Sequence, residues 1–188
     1  MAAAAELVQG ERRGVNASET AVSAERGGGA RLVLGWEEWV SLPALGVHAI
    51  KAKIDTGART SALHAEAIEL VSGAPQPLVR FTIRPAPRRL DIVVACEALL
   101  LDKRTIVSSN GIAEVRYVIA TDLTIAGRCW PIELSLSDRS EMSYRMLLGR
   151  QALQAGGVLV DPAATRLQPR LGFSAYPGFK RKRRTAKT

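Results

Sequence analysis

"KIDTGARTSALHA", residues 53–65, sets Asp55, Thr56 and Gly57 directly after a β-branched strand end, and the reading of that turn decides the fold. Asp before Gly has an ordinary use: the carboxylate accepts nearby backbone N–H groups, and the glycine lets the chain reverse. The same residues can present a carboxylate at a strand end for acid–base work or for a metal. Turn cap, metal ligand and acid–base group are separated only by what surrounds them.

Upstream, "RLVLGWEEWVSLPALGVHAIKAKID" (31–55) predicts a short strand at Leu32–Leu34, a turn at Pro43 and Gly46, and a half-buried strand over Val47–Ile54. Downstream, "RTSALHAEAIELV" (59–71) reads as a brief turn and a strand. Further strands are expected over 78–85, 89–99, 104–127 and 128–137, with a hairpin turn at Asn110-Gly111 and another turn at Gly127-Arg128. Toward the C-terminus the pattern changes. Met146–Leu148 is an apolar strand broken by Gly149, "RQALQA" (150–155) makes about one and a half helical turns, and "VLVDP" (158–162) resumes as a strand. Many short strands with frequent turns indicate an all-β closed barrel or sandwich, and no internal repeat is visible.

The 188-residue length and 47% hydrophobic content suit one domain with a core. We expect a leader at 1–30, too poor in apolar residues to order itself, a barrel domain at 31–170 and a basic flexible tail at 171–188. Six of the eight net positive charges lie in Lys180, Arg181, Lys182, Arg183, Arg184 and Lys187, so residues 1–179 carry only +2. That run could contact an acidic partner or RNA, although a solvated terminus is the ordinary use of such a sequence. No apolar run reaches the ~20 residues of a membrane helix, and a cytoplasmic protein is expected. Cys96 and Cys129 have no short paired spacing and are expected as two buried small hydrophobes.

Hydrolysis by carboxylates needs two of them sharing one proton around a water, because like charges about 3 Å apart resist joint ionisation. One Asp-Thr-Gly unit is half such a site. The missing half most simply comes from a second copy across a two-fold axis, with Asp55 of each protomer at that axis.

The turn, its apolar lead-in strand and "MLLGRQAL" (146–153) together resemble the retropepsin pattern, in which an apolar strand and Gly-Arg lead into a helix beneath the catalytic turn. "GWEEWVSLPALGVHAIKAKIDTGARTSALHA", "FTIRP", "SSNGIAEVRYVI", "WPIELSLSDRSEMSYRMLLGRQAL" and "LVDP" are similar to one bacterial branch, over residues 35–162. That branch is the retropepsin-like, RimB-like family of aspartic endopeptidases labelled "ATP-dependent zinc protease" and encoded near or fused to RimK-type glutamate ligases. The resemblance implies an acid-protease-like barrel with one short C-terminal helix. It implies Asp55, Thr56 and Gly57 as the catalytic turn, Gly149 and Arg150 as its support, a homodimer, and a peptide or protein substrate. It also suggests a link to an acidic tail added by such a ligase.

Several features depart from viral retropepsins. Ninety-two residues separate Asp55 from Leu147, a longer interval than in compact viral enzymes, and no glycine-rich flap is recognisable. Arg59 and Thr60 stand where viral enzymes place acidic residues. Arg59 beside the turn would lower a carboxylate's pKa and attract an acidic substrate, or else pair with a glutamate on the surface.

The family label brings two further expectations to test against the residues. The only histidines, His48 and His64, lack the spacing of a zinc peptidase helix, so no metal is expected. A site from Asp55, His64 and a cysteine is the metal-dependent alternative. No phosphate-binding Gly-x-x-x-x-Gly-Lys loop occurs, and no cofactor is expected. Ser108 and Ser109 read as turn residues, not nucleophiles, and Trp36, Trp39 and Trp130 as core or rim anchors. An aspartic endopeptidase is therefore the first expectation, with a non-catalytic binding module for a ligase or its acidic product as the second.

Overall fold

The computed structural model describes residues 31–71, 76–89, 91–107, 111–177 and 179. The expected leader, the serines and Asn110 of the hairpin turn, and the basic run from Lys180 lie outside the described residues. The chain runs β1 (Val33–Gly35), β2 (Glu37–Leu42), β3 (Val47–Ile54), β4 (Ser61–His64), β5 (Glu66–Val71) and β6 (Leu78–Ile83). It continues through β7 (Val94–Val107), β8 (Ala113–Ile125), β9 (Arg128–Ser137), β10 (Met146–Leu148), α1 (Arg150–Ala155) and β11 (Leu159–Asp161).

The fold is all-β and barrel-like. Strands β2, β3, β10, β4, β9 and β8 follow one another in space, and the pairing of Ser41 with Thr124 returns β8 to β2. Closing the ring satisfies strand edges that would otherwise be open to other chains. β7, β6 and β5 extend the sheet beyond β8, and β1 pairs with β11 as a separate parallel ribbon.

Alternation explains the walls. In β3, Val47, Ala49, Ala52 and Ile54 are buried while His48 and Lys53 face solvent, as a strand with one buried face requires. Val40, Ile50, Leu63, Leu123, Leu134 and Leu148 meet inside without exposure. The tight turn from β8 to β9 is Ala126-Gly127, one residue earlier than expected. Both adopt positive φ, 51° and 77°, and Ile125 pairs with Arg128 across them; a two-residue primed turn demands that geometry. The strand expected over 89–99 starts only at Val94, because Arg89–Ile92 close a turn through Ile92 N–H to the Arg89 carbonyl at 3.1 Å.

Of the cysteines, only Cys96 is buried, with its thiol pushed up to about 12 by desolvation; Cys129 is exposed beside the turn. Trp39 and Trp130 are buried, whereas Trp36 is 40% exposed and meets Tyr144 edge-on.

The start of the expected tail packs on the barrel. Leu171, Phe173 and Phe179 lie against a small cluster of Trp39, Ala49, Ile92 and Tyr176. The Tyr176 hydroxyl accepts the Ala49 N–H at 3.0 Å and donates to the Ala49 carbonyl at 2.8 Å. Charge further along had grouped these residues with the tail, but the aromatic side chains decide their placement. Tyr176→Phe leaves both Ala49 groups buried without this partner and is expected to cost about 1–3 kcal/mol, read as a lower urea midpoint with an unchanged slope.

Candidate active site in the Asp55 cleft

β3 and β4 are consecutive along the chain but not neighbours in the sheet. β10 lies between them, parallel to β3 through Met146–Ala52 and Leu148–Ile54, and antiparallel to β4. The connection from Asp55 to Thr60 must therefore cross the end of β10, which meets it from below with a series of hydrogen bonds. Asp55 N–H donates to the Leu148 carbonyl at 2.9 Å. Beyond Leu148, the amides of Arg150 and Gln151 donate to the carbonyls of Ala58 and Arg59 at 2.8 and 3.1 Å. Arg150 Nη1 reaches the carbonyls of Thr56 and Gly57 at 3.0 and 2.9 Å, so this side chain supports the turn and is not turned to the cleft. Gly149 is required by contact: a Cβ there would stand 2.5 Å from the Thr60 carbonyl oxygen. Its amide donates to Ser61 Oγ at 3.1 Å.

The turn holds the Asp55 carboxylate. Oδ1 accepts the N–H groups of Gly57 and Ala58, each at 3.0 Å, and Oδ2 faces Lys53 Nζ at 3.2 Å. Burial pushes the Asp55 pKa up, but the Ala58 amide, Lys53 and the Gly57 amide outweigh it and hold the carboxyl below its ordinary range. In a single chain this group is an ionised carboxylate.

Asp55 opens on a cavity of about 1060 Å³. Gly57, Arg59, Thr60 and Gln151 line it from the turn and α1; Ser135 and Ser137 line it from β9; Asp138, Arg139 and Met142 line it from the loop after β9. Residues 104–107 of β7 and Arg116 of β8 supply a further wall. A long two-stranded arm thus stands where sequence inspection sought a glycine-rich flap. Its sequence signal is the hairpin expected at Asn110-Gly111 between two long runs.

The expected site residues separate into groups. Asp55, Gly57 and Arg59 share the cavity, while Thr56 is exposed. His64 is only 2% exposed and lines a neighbouring cavity with Glu66. Its Nδ1 accepts the backbone N–H of Arg139 at 2.9 Å, so Nε2 carries the proton and donates to Glu66 Oε1 at 3.2 Å. Both ring nitrogens are engaged, and among the described residues no three His, Cys, Asp or Glu side chains are arranged to hold a metal ion. His64 instead braces the loop that carries Arg139 into the cleft.

Four arginines line the cavity, of which the sequence points only to Arg59. Arg104 pairs with Asp102 and Glu133, and Arg116 pairs with Glu114. Arg139 is partly buried, with Nε donating to the Tyr144 carbonyl at 3.2 Å. Burial and the nearby Arg116 pull its pKa down, while Asp55 pushes it back up. The spacing Glu133, Ser135, Ser137, Arg139 is the one sequence signal that could have found this wall, since alternate residues of a strand share a face.

A profile of the RimB-like family, described as retropepsin-like aspartic endopeptidase RimB, matches residues 33–171. The chain belongs to that family. A probable alpha-L-glutamate ligase of Shewanella pealeana is 46% identical over 133 residues, 71% of this chain and 29% of the relative. A protein of the same name from Parasynechococcus marenigrum is 44% identical over 132 residues, 70% of this chain and 28% of its own length. The chain therefore spans less than a third of these curated relatives. A crystal structure of a Legionella pneumophila protein of unknown function superposes with a TM-score of 0.60 at 26% identity, covering 73% of this chain and 98% of that one.

Gly149→Ala forces a methyl into the Thr60 carbonyl and is expected to cost about 2 kcal/mol or more, seen in the urea midpoint. Because the folded pKa of Asp55 lies below its unfolded value, the stability it contributes is present above the ordinary carboxylate range and lost as pH falls through the lowered value. Asp55→Asn should flatten the acid limb of a stability-versus-pH curve, while wild type keeps it.

Proposed function

We propose that the chain is an aspartic-type endopeptidase domain whose working site joins Asp55 from two copies. The observation that carries this reading is the Asp55 turn itself, suspended on the end of β10 and opening on a long cleft. One carboxylate accepts a proton from a water as it attacks the scissile carbonyl; the other, protonated, donates to the carbonyl oxygen. Breakdown of the tetrahedral intermediate returns a proton to the leaving amine. A single chain supplies only the first partner, because Lys53 and two amides keep Asp55 ionised. The other acids on the cavity are committed: Glu133 faces Arg104, and Asp138 accepts the Ser140 N–H at 2.8 Å. A second Asp55 brought opposite would raise one pKa of the pair and supply the acid. Exposed Thr56 and Gly57 leave the turn accessible to such a partner.

The substrate reading is a peptide segment with acidic residues, such as a tail added by a RimK-type glutamate ligase. Its support is Arg59 and Arg139, the cavity arginines without an ion pair among the described residues, and the naming of the relatives as glutamate ligases. A non-catalytic module that recognises a ligase or its acidic product is the second reading, favoured by the engagement of both Asp55 oxygens within one chain.

In the peptidase reading Asp55→Asn lowers kcat/KM on an acidic peptide by about 10³-fold or more. Specific activity rises with concentration in step with the dimer fraction from sedimentation velocity. A monomer that cleaves at full rate contradicts the shared dyad, and peptide binding without cleavage by wild type favours the second reading.

A further inference from the structure

The wall of the cleft formed by β9 and the loop after it carries polar groups that the reaction does not use. Ser137 is 3% exposed, lines both the Asp55 cavity and the neighbouring cavity beside His64, and among the described residues its Oγ has no hydrogen-bond partner. A buried hydroxyl without a protein partner costs stability unless a water, an ion or a ligand group meets it. Two residues on, Arg139 lines the same cavity. Among the described residues it makes no ion pair; its one hydrogen bond from the side chain goes from Nε to the Tyr144 carbonyl. Among the described residues no carboxylate stands within ion-pair distance of the remaining guanidinium nitrogens, Asp55 acting on them from further off. The backbone from which that side chain extends is held in place, because the Arg139 amide is tied to buried His64 and Arg145 Nη1 donates to the Arg139 carbonyl at 3.2 Å.

The other cationic positions differ. Arg104 and Arg116 already hold carboxylates, and Arg59 is exposed on the turn side. We propose that Ser137 and Arg139 form a built subsite that accepts one carboxylate of a bound peptide beside Asp55. A guanidinium fork and a neutral hydroxyl each suit a planar monoanion. Holding Nε on the Tyr144 carbonyl removes part of the ordering cost from the binding step. Only the location of this subsite rests on the peptidase reading; the carboxylate can come from a side chain or from a peptide C-terminus, and the test separates these.

The full chain carrying Asp55→Asn, which does not need to cleave, is titrated by fluorescence anisotropy with three labelled peptides at low salt. One has glutamates and an amidated end, one has glutamines and an amidated end, and one has glutamines and a free C-terminus. The amidated glutamate peptide should bind at least about tenfold tighter than its amidated glutamine twin, the scale of a charge-assisted hydrogen bond lost. Adding Arg139→Gln should cut that preference below about twofold, Arg139→Lys should leave an intermediate value because the fork is lost and the charge kept, and Ser137→Ala should cut it severalfold. Thermal unfolding of each variant checks that it is folded, and the distant surface change Arg80→Gln should leave the preference unchanged. If the free C-terminus gains as much as the side chains do, with the same dependence on Arg139, the subsite stands and takes a terminal carboxylate. Equal binding of all three peptides, or a preference that Arg139→Gln and Arg139→Lys leave intact, overturns it. Glutamate preference in a wild-type chain that never cleaves retains the subsite and removes the peptidase; cleavage without preference does the reverse.

Discussion

The end of β10 is the constraint on which the rest depends. By lying between β3 and β4 it separates two strands that are consecutive in sequence, so the turn between them cannot be a simple hairpin. The turn must bridge a strand end, and the groups it meets there are the Leu148 carbonyl, the amides of Arg150 and Gln151, and the Arg150 guanidinium. Those partners pair the backbone groups of a turn that makes no strand ladder of its own. They also leave the Asp55 side chain pointing outward from a rigid support, the condition for placing a reacting group accurately. Gly149 is the narrowest point, where backbone touches backbone and no side chain fits.

Much of this was legible in particular residues. β-branched Ile54 running into Asp55-Thr56-Gly57, and Met146–Leu148 running into Gly149-Arg150, carry local signals: apolar periodicity, then a residue that permits a reversal. β9 and β10 were read to the residue because both are bounded by turn residues. The insertion of β10 was not readable from its own letters, since strand neighbours are chosen by the whole barrel and three residues carry too little pattern to specify them. His64 illustrates another case. A hydrogen-bonded histidine at the edge of the core was the first expectation, with a ligand as the alternative, but its partner, the Arg139 amide, could not be named from sequence. Tyr176 and Phe179 were submerged in the charge of the residues that follow them, and only burial shows that they belong to the barrel.

Buried acids elsewhere show the same reliance on distant partners. "GWEEW" looks like an exposed charged pair between tryptophans, yet Glu37 and Glu38 are both buried. Glu38 accepts the amides of Gly35, Leu167 and Gln168, fastening residues far apart along the chain to the start of β2. Glu37 receives Lys51 Nζ at 2.8 Å and the Tyr144 hydroxyl; burial pushes its pKa up, and these donors win, holding it low. Tyr144 also supplies the carbonyl that Arg139 Nε meets. The buried carboxylate under β2 and the cleft arginine are thus connected through one loop, from Asp138 to Arg145, held on one side by His64 and on the other by Glu37.

In the proposed dimer the electrostatics of the Asp55 turn would tie chemistry to association. Within one chain every nearby donor favours the ionised form, so the state needed for a general acid is one the isolated chain resists. Bringing two such turns together reverses the balance for one of the pair, since the second carboxylate is a like charge at short range. A pair that holds one proton more than its separated halves takes that proton up as it forms, and by linkage the same proton strengthens the pairing. The interactions that stabilise Asp55 as an anion would then act against premature protonation in the single chain and leave the acid to appear only where its partner is present.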